Sequence, residues 1–264
     1  MSDGLLLFIP GYNCADQIGR VLAQLTPAVQ EVFDEVLVVD NRSVDNTVDV
    51  AKDGLRALSH VRTRLLVNDE NVGLGGSHKV ALQHALKEGY AFCVVLHGDD
   101  QAAVSDVLPL LRNGRHREHD ALLGSRFMAG ARLEGYSTFR TVGNRFFNVL
   151  FSVAARRRVL DLGSGLNVFR VSCFADGSHL RLADDLTFNY YLILLAARRG
   201  WNVHFFPITW REEDQRSNVK MLSQSRRMLR LLAGYLRDPE ATLAAGAERP
   251  GRDYLSTTVY DSSS

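Results

Sequence analysis

Short apolar runs alternate with amphipathic segments through the first hundred residues. Four runs have the length and composition of buried strands, at 4–10, 35–40, 61–67 and 90–97. The three segments between them have apolar residues at helical spacing, at 15–25, 43–55 and 75–89. Strands that alternate with helices of this length predict βαβ units and a mostly parallel sheet. The indicated fold class is therefore α/β.

The alternation becomes less regular after residue 101. Further helices are predicted at 104–112, 141–157, 184–200 and 218–237. Further strands are predicted at 120–127, 163–174 and 201–210. The residues from 239 to 264 are rich in alanine, glycine, serine and threonine, which predicts a weakly ordered tail. We therefore predict one domain over 1–238, made of a first half at 1–103 and a second half at 104–238.

A polar loop follows each of the first four predicted strands. These loops occupy 10–13, 40–45, 68–77 and 97–101. In a parallel α/β sheet the carboxyl ends of the strands lie at one edge, and ligands bind beyond that edge. We therefore expect the four loops to form a single site.

Two adjacent carboxylates, Asp99 and Asp100, follow the fourth strand. Like charges this close repel each other and lose hydration when covered, so a cation or open solvent is expected beside them. Such carboxylates suit Mg²⁺ or Mn²⁺ bound against a substrate diphosphate. A surface turn that caps a helix would also explain an isolated pair. The three neighbouring polar loops favour the metal site.

Two other loops carry weaker signals. Asp40 ends the second strand and is a candidate to accept hydrogen bonds from a nucleobase or ribose. Ser43 and Asp45 fit a helix cap as well as a ligand contact. The glycines of the loop at 68–77 permit close approach of a ligand to a helix N-terminus. That loop has neither the dinucleotide pattern nor the phosphate-loop pattern.

Composition narrows the partners and the compartment. Of 264 residues, 46% are hydrophobic and 23% are charged, and the net charge is +1, so no overall attraction to nucleic acid is expected. The sequence has no signal peptide and no apolar run of membrane-spanning length. Cys14, Cys93 and Cys173 are widely spaced, which is typical of free thiols in a reducing compartment. We expect a cytoplasmic protein, and the basic helix at 218–237 suggests peripheral contact with the inner face of an anionic membrane.

Four blocks, "IPGYNCADQIGRVL", "VVDNRSVDNT", "NVGLGGSHKVAL" and "LHGDDQ", together resemble family 2 glycosyltransferases of the GT-A fold. Four later blocks, "LLGSRF", "GNRFFN", "DLGSGLNVFR" and "FPITW", resemble the dolichyl- or polyprenyl-phosphate sugar transferase branch. The resemblance runs from about residue 5 to 220. It implies a Rossmann-like three-layer α/β/α domain with a central, mostly parallel mixed sheet. The first half would bind the nucleotide sugar and the second half the acceptor.

The resemblance also implies roles for individual residues. The nucleotide-sugar pocket would be lined by Pro10, Tyr12, Asn13, Asp40, Ser43, Asp45, Asn71, Gly73, Gly76, His97 and Gln101. Asp99 would be the main metal ligand, with Asp100 as a second catalytic carboxylate. His97 stands where the family usually has the first aspartate of Asp-x-Asp, and a neutral histidine can still ligate Mn²⁺.

Acceptor-side residues follow from the same resemblance. Contacts to an acceptor or donor phosphate would come from Arg126, Arg140, Arg145, Arg211, Arg216 and Lys220. Asp185 or its neighbour Asp184 is a candidate general base if the acceptor is a sugar hydroxyl, although helix capping explains the pair equally well. A lipid phosphate is already anionic and needs little base.

These expectations describe an inverting, metal-assisted glycosyltransferase of cell-envelope or polysaccharide biosynthesis. Its partners would be a nucleoside diphosphate sugar, a divalent cation, and a polyprenyl phosphate or glycan hydroxyl acceptor; a homodimer is a further hypothesis. Two alternatives stay open. A sugar nucleotidyltransferase would need a glycine- and arginine-rich loop after the first strand, where this chain has "IPGYN". A non-catalytic nucleotide-sugar-binding protein is suggested by the substitution at His97.

Overall fold

A computed structural model describes residues 4–212, 221–247 and 251–263. The strands are β1 (Leu5–Gly11), β2 (Glu35–Asp40), β3 (Arg62–Asn68), β4 (Phe92–Leu96), β5 (Ala121–Ser125), β6 (Arg132–Glu134), β7 (Leu166–Arg170), β8 (Val203–Pro207), β9 (Thr209–Arg211) and β10 (Ser256–Asp261). The helices are α1 (Ala15–Ala23), α2 (Pro27–Gln30), α3 (Thr47–Arg56), α4 (Gly73–Glu88), α5 (Leu108–Arg112), α6 (Thr138–Ala155), α7 (Phe188–Arg198), α8 (Met221–Arg237) and α9 (Pro239–Ala244).

The strands form a central mixed sheet in the order β10-β3-β2-β1-β4-β7-β5-β8. β3, β2, β1 and β4 are parallel neighbours, as the βαβ pattern predicts. β7 lies antiparallel between β4 and β5, and β6 pairs with β9 in a separate two-stranded sheet. The predicted α/β class with a mostly parallel mixed sheet is confirmed.

Helices cover both faces of the sheet. Successive side chains of a strand point to opposite faces, so Leu6 and Phe8 of β1 pack in one core while Leu7 and Ile9 pack in the other. The first core also buries side chains of α4, α6, α7 and α8, and the second those of α1, α3 and α5. The three-layer arrangement follows from strands that are apolar on both faces.

The C-terminal segment corrects the sequence analysis, which predicted a weakly ordered tail over 239–264. Residues 239–244 form α9, whose first turn is capped by Asp238 through a 3.0 Å hydrogen bond from the Ala241 N–H. Residues 256–261 form β10, which extends the sheet antiparallel to β3. Threonine, valine and tyrosine favour strands when a partner edge is present, and β3 supplies that edge. Composition alone cannot reveal such a partner.

No helix within the described ranges is both long and apolar enough to cross a membrane.

Candidate active site

The loops after β1, β2 and β4 meet at one edge of the sheet. The Gly98 N–H donates to the Pro10 carbonyl at 3.1 Å, and the Asn41 N–H donates to the Gly11 carbonyl at 2.8 Å. These bonds form because β2, β1 and β4 are parallel neighbours whose carboxyl ends reach the same level. The expected convergence of the polar loops is thus present in the structure.

Three asparagines connect the loops after β2 and β3. Nδ2 of Asn41 donates to Oδ1 of Asn71 at 2.9 Å, and Oδ1 of Asn41 accepts from Nδ2 of Asn68 at 3.1 Å. Oδ1 of Asn41 also accepts from the Val72 N–H at 2.9 Å, directly before α4. Asn41 and Asn68 are buried, so these bonds satisfy both ends of the Asn41 amide and the Nδ2 of Asn68, groups that are costly to bury unpaired. The network fixes the loop that leads into α4.

The loops after β1 and β2 are joined through Ser43. Asp40 is fully buried and accepts hydrogen bonds from the N–H and hydroxyl of Ser43 at 2.9 and 2.5 Å. The Ser43 hydroxyl oxygen accepts from the Asn13 N–H at 2.9 Å, and Oδ1 of Asn13 accepts from the Val44 N–H at 2.9 Å. Tyr12 beside them stays half-exposed. The arrangement holds a rigid loop pair with one aromatic ring open to a ligand.

Asp45 has the geometry of a local cap. It accepts hydrogen bonds from the N–H and hydroxyl of Thr47 at 3.0 and 2.5 Å, at the start of α3, and from the Ala15 N–H at 3.3 Å. Burial opposes its ionisation, but these hydrogen bonds outweigh burial and lower the pKa of Asp45. The capping interpretation accounts for the contacts of this residue.

A cleft of about 370 Å³ lies beside Asp40 and Ser43, within the range of small-molecule sites. Val67 of β3 and Thr257 of β10 line its opposite side. The C-terminal strand therefore contributes to the wall of the cleft, a role that the sequence analysis does not predict.

The glycines at the start of α4 face a backbone segment of the same chain. A Cβ at Gly73, whose φ is +72°, would lie 2.4 Å from the Asp184 carbonyl oxygen. A Cβ at Gly75 would lie 2.3 Å from the Ala183 carbonyl oxygen. The Gly76 N–H donates to the Asp184 carbonyl at 3.1 Å. Glycine is needed here because the segment around Asp184 packs directly on the helix start.

Asp99 and His97 have unusual electrostatic surroundings after β4. Burial raises the pKa of Asp99 to about 6; the neighbouring Asp100 charge adds to this and the Arg126 charge opposes it. Oδ1 of Asp99 accepts from the Gln101 N–H at 3.3 Å. Burial lowers the pKa of His97 to about 4, helped by the Arg126 charge, so its ring is neutral near pH 7. Nε2 of His97 is buried without a hydrogen-bond partner among the described residues.

Asp100 is engaged by other parts of the chain. It has a φ of +57°, and its carboxylate accepts from Nε of Arg20 at 2.8 Å and Nε2 of Gln24 at 3.0 Å. Nη2 of Arg211 lies 3.5 Å from the same carboxylate. The positive charge that two adjacent carboxylates require therefore comes, for Asp100, from α1 and β9.

The loop after β4 offers few ligands of its own, so a divalent cation there would be held mainly by the phosphate oxygens of a substrate. Within 4–212, 221–247 and 251–263, no three His, Cys, Asp or Glu side chains converge as a ready metal site. Mg²⁺ keeps several waters and binds through one or two carboxylates together with phosphate oxygens. A carboxylate such as that of Asp99 suits this arrangement, whereas the unpartnered Nε2 of His97 is buried.

Two of the arginines predicted near the acceptor, Arg126 and Arg140, each bind a carboxylate closely. Arg126 is buried, and its Nε and Nη2 donate to both oxygens of Asp161 at 2.9 and 2.8 Å. Nη1 of Arg140 lies 2.7 Å from both carboxylate oxygens of Glu212. The charge of Arg126 acts on His97 and Asp99, but both arginines already have a bonded carboxylate.

The other basic residues predicted for the acceptor or a phosphate are Arg145, Arg211, Arg216 and Lys220. Arg145 lies on the exposed side of α6, and Arg211 lies beside Asp100. Arg216 and Lys220 lie outside the described residues.

Asp184 and Asp185 have different surroundings. Asp184 is buried, and its Oδ1 accepts from Nζ of Lys79 at 2.6 Å and from the Tyr254 hydroxyl at 2.6 Å. Oδ1 of Asp185 accepts from the N–H and hydroxyl of Thr187 at 2.8 and 2.6 Å, and its other oxygen contacts Arg227. Asp184 is a buried ion-pair partner. Asp185 is half-exposed, and its hydrogen bonds from Thr187 are those of a local cap.

Sequence reasoning missed several residues that shape this site. They are Arg20, Asn41, Asn68, Lys79 and Asp161. Asn41 is adjacent to Asp40 and Asp161 begins the block "DLGSGLNVFR", so both stood inside segments already singled out. Nothing in their local sequence names their partners, which are distant along the chain.

Comparisons with known proteins agree with this architecture. Residues 7–177 match the model for "Glycosyl transferase family 2", which is more than half of the chain. The chain is 26% identical over 219 residues to the glycosyltransferase AglJ of Haloferax volcanii, covering 83% of this chain and 67% of AglJ. It is 24% identical over 219 residues to the UDP-N-acetylglucosamine–dolichyl-phosphate N-acetylglucosaminyltransferase of Methanococcus voltae, covering 79% of this chain and 86% of that protein.

A solved structure supports the fold. Glucosyl-3-phosphoglycerate synthase from Mycobacterium tuberculosis, crystallised with Mn²⁺, UDP and glucosyl-3-phosphoglycerate, superposes with a TM-score of 0.61 at 17% identity. The match covers 98% of this chain and 90% of the synthase, and at this identity it shows a common fold. The resemblance to family 2 and to its polyprenyl-phosphate sugar transferase branch is confirmed. This chain therefore belongs to glycosyl transferase family 2 and is a glycosyltransferase with the GT-A fold.

Proposed function

We propose that this glycosyltransferase moves a sugar, with inversion and with the help of a divalent cation, from a nucleoside diphosphate sugar to a polyprenyl phosphate or a glycan hydroxyl. The observation that carries the proposal is the half-buried carboxylate of Asp99, at the edge where the loops after β1, β2 and β4 meet. Two comparisons support it. The Methanococcus voltae relative is named for a UDP-sugar donor and a dolichyl-phosphate acceptor. The Mycobacterium tuberculosis neighbour holds Mn²⁺ and UDP.

The nucleoside would lie over the loops after β1, β2 and β3. The half-exposed ring of Tyr12 offers a stacking surface, and Pro10 and Asn13 border it. Asp40 and Ser43 line the adjacent cleft and would meet the base or ribose through hydrogen bonds. Asn71 would contact the donor from the opposite loop. The rigid hydrogen bonds between these loops lower the entropy cost of binding, because the pocket is ordered before the ligand arrives.

The diphosphate would lie between the start of α4 and the end of β4. Gly73 and Gly76 belong to that helix start, where the segment around Asp184 packs, and Gln101 lies beside Asp99. Asp99 and the neutral ring of His97 would hold the divalent cation, which when bound neutralises the charge that develops on the leaving diphosphate. The buried charge of Arg126 favours the same anion. Asp100 supports the loop through Arg20 and Gln24.

The acceptor would approach from the second half of the chain. Arg140, Arg145 and Arg211 would provide positive charge there; Arg216 and Lys220, predicted for the same role, lie outside the described residues. Asp185 would take the proton of a hydroxyl acceptor, but its carboxylate already contacts Thr187 and Arg227. A phosphate acceptor is anionic at neutral pH and needs no such base, so the contacts of Asp185 favour polyprenyl phosphate. We also infer a cytoplasmic location, where the free Cys14, Cys93 and Cys173 stay reduced.

A thermal-shift panel tests donor and cation together. UDP-, GDP- and dTDP-sugars are added to the wild-type protein with and without Mn²⁺, and one of them should raise the melting temperature in a Mn²⁺-dependent manner. Asp99→Asn should lose the Mn²⁺-dependent part, whereas the exposed Asp53→Asn on α3 serves as the matched control. No shift with any donor would contradict the proposal.

Turnover separates the alternatives. The proposed enzyme releases a nucleoside diphosphate when polyprenyl phosphate or a glycan is added to the donor. A sugar nucleotidyltransferase would instead release pyrophosphate from a nucleoside triphosphate and a sugar phosphate. A non-catalytic binder would show the thermal shift without any release.

A further inference from the structure

The solvent side of α6 carries a continuous apolar stripe. Its members are Phe139, Val142, Phe146, Val149 and Val153, with exposed fractions from 57% for Phe146 to 74% for Phe139. Intervals of three and four residues place them on one side of a helix. At the helical rise per residue the stripe is about 21 Å long. Such a contiguous exposed patch marks an interaction surface rather than isolated surface hydrophobics.

The opposite side of α6 already packs in the protein core. Asn148, Phe151 and Ala154 are buried there. The helix is therefore apolar on two sides, whereas a helix at a water-exposed surface has one apolar side and one polar side. Among the described residues nothing covers the stripe.

α8 extends this surface. It packs against α6, and Met228 and Leu231 of α8 are buried in the same core as Phe151 of α6. Each of the two neighbouring helices therefore buries one side in that core and exposes the other. On α8 the exposed side carries Leu229 and Leu236. We call the exposed residues of α6 and α8 the outer helical face.

The charge of the outer helical face has one sign. Neither 138–158 nor 221–237 contains an aspartate or a glutamate. The exposed arginines among these residues are Arg145, Arg156, Arg158, Arg226, Arg227, Arg230 and Arg237. Apolar side chains interspersed with arginines, without acids, are the pattern of helices that lie in the headgroup region of anionic bilayers.

We propose that the outer helical face docks on an anionic lipid surface. Phe139, Phe146 and the valines would enter the boundary between headgroups and acyl chains, while the arginines meet the lipid phosphates. A second copy of the chain fits less well. A two-fold interface centred on Phe146 would bring Arg145 of both copies together, and neither α6 nor α8 offers an acid to pair with them.

The face adjoins the acceptor side of the candidate active site. Arg140, in the first turn of α6, pairs with Glu212, and Arg227 of α8 contacts Asp185. Docking would therefore present the acceptor side to the bilayer, where a polyprenyl phosphate resides. This consequence rests on the proposed function, whereas the docking itself does not.

Vesicle flotation tests the docking. The full chain is mixed with vesicles of phosphatidylcholine alone or with a phosphatidylglycerol fraction, at low and high salt. Phe146→Ser/Val149→Ser removes the apolar centre, and Leu255→Ser, similarly exposed next to β10, is its control. Arg145→Gln/Arg230→Gln removes charge, and the exposed Arg56→Gln on α3 is its control.

The wild-type protein should float with the anionic vesicles, not with the neutral ones, and high salt should release it. The apolar double variant should bind at least about tenfold more weakly, and each lost arginine should weaken binding about fivefold. Leu255→Ser and Arg56→Gln should bind like wild type. Absence of flotation at low salt overturns the proposal, as does a lipid-free dimer that Phe146→Ser/Val149→Ser dissociates.

Donor binding distinguishes the two proposals. If the apolar double variant keeps the donor-induced rise in melting temperature, its loss of flotation is not a folding defect. If the wild-type protein floats but no donor raises its melting temperature, the docking stands and the proposed function fails.

Discussion

The Asp100 carboxylate accepts a 2.8 Å hydrogen bond from Nε of Arg20. The two residues lie on different elements, and the bond joins α1 to the loop after β4. The neighbouring Asp99 remains half-buried with a raised pKa. One of the two adjacent carboxylates therefore supports the loop, and the other is the one that we propose as the cation ligand.

This separation predicts unequal effects of two similar substitutions. Asp99→Asn should lower kcat/KM for release of the nucleoside diphosphate by about 10²-fold or more, since it removes the proposed cation ligand. Asp100→Asn should lower it by less than about tenfold and should cost about 1 kcal/mol of folding free energy, because the Arg20 pair is partly exposed. Steady-state kinetics and urea unfolding measure both. Equal catalytic losses would show that Asp100 shares the role of Asp99.

The docking of β10 should depend on pH through Asp261. Burial opposes ionisation of this carboxyl, but hydrogen bonds from Ser263 and the nearby Arg64 outweigh burial and hold its pKa at about 2. A lowered pKa stabilises the fold above the unfolded-state value of 3.8, and the contribution disappears as pH falls through about 2. Asp261→Asn should therefore cost about 1–2 kcal/mol near pH 7. In urea unfolding at a series of pH values, the difference from wild type should shrink below pH 4, while the exposed Asp53→Asn should show no such trend.

The fully buried ammonium of Lys79 should contribute strongly to the free energy of unfolding. It donates to the Leu182 carbonyl, Asp184 and the Tyr254 hydroxyl at 2.6, 2.6 and 2.8 Å. Lys79→Met should cost about 3–5 kcal/mol because Asp184 loses its nearest buried cation and, among the described residues, keeps only Arg252, whose Nη1 lies 3.8 Å away. Lys87→Met, at an exposed position of the same helix, should stay within about 0.5 kcal/mol of wild type.

A double variant isolates the ion pair. Lys79→Met/Asp184→Leu should be more stable in chemical unfolding than Lys79→Met alone, since it removes a buried carboxylate that has lost its closest cation. If the second substitution adds a further loss instead, the packing of Lys79 rather than its charge determines the cost.

Two helical glycines should respond oppositely to alanine. A Cβ at Gly75 would lie 2.3 Å from a backbone oxygen and 2.8 Å from Cβ of Phe188, so Gly75→Ala should cost about 2 kcal/mol or more. Gly143 on α6 has open space around it, and Gly143→Ala should stabilise the protein by about 0.5–1 kcal/mol through helix propensity. Melting temperatures of the two variants test this directly. A gain from Gly75→Ala would mean that the segment around Asp184 moves away from α4 easily.

The local pattern of apolar residues predicts many of the strands and helices at their observed positions. The predicted strand at 35–40 is β2, and the one at 4–10 is β1 displaced by a residue. Such strands are recognisable because they are buried on both faces and form continuous apolar runs. β10 was not predicted, because its serine and threonines resemble a disordered tail when the edge of β3 is not considered. The antiparallel placement of β7 depends on strand neighbours that no local window contains.

The sequence by itself determined the alternation of strands and helices, and with it the edge where the polar loops after β1, β2, β3 and β4 gather. The periodicity of apolar residues and the succession of strands and helices along the chain can be read from the sequence directly. Tertiary structure alone decided the partners of the charged residues: Asp100 with Arg20, Asp184 with Lys79 and Arg126 with Asp161. Those pairs form because folding brings distant segments together. The pairs of Lys79 and Arg126 lie in a low-dielectric interior, where an unpaired charge is costly, and no local sequence signal shows which distant residue will be the partner.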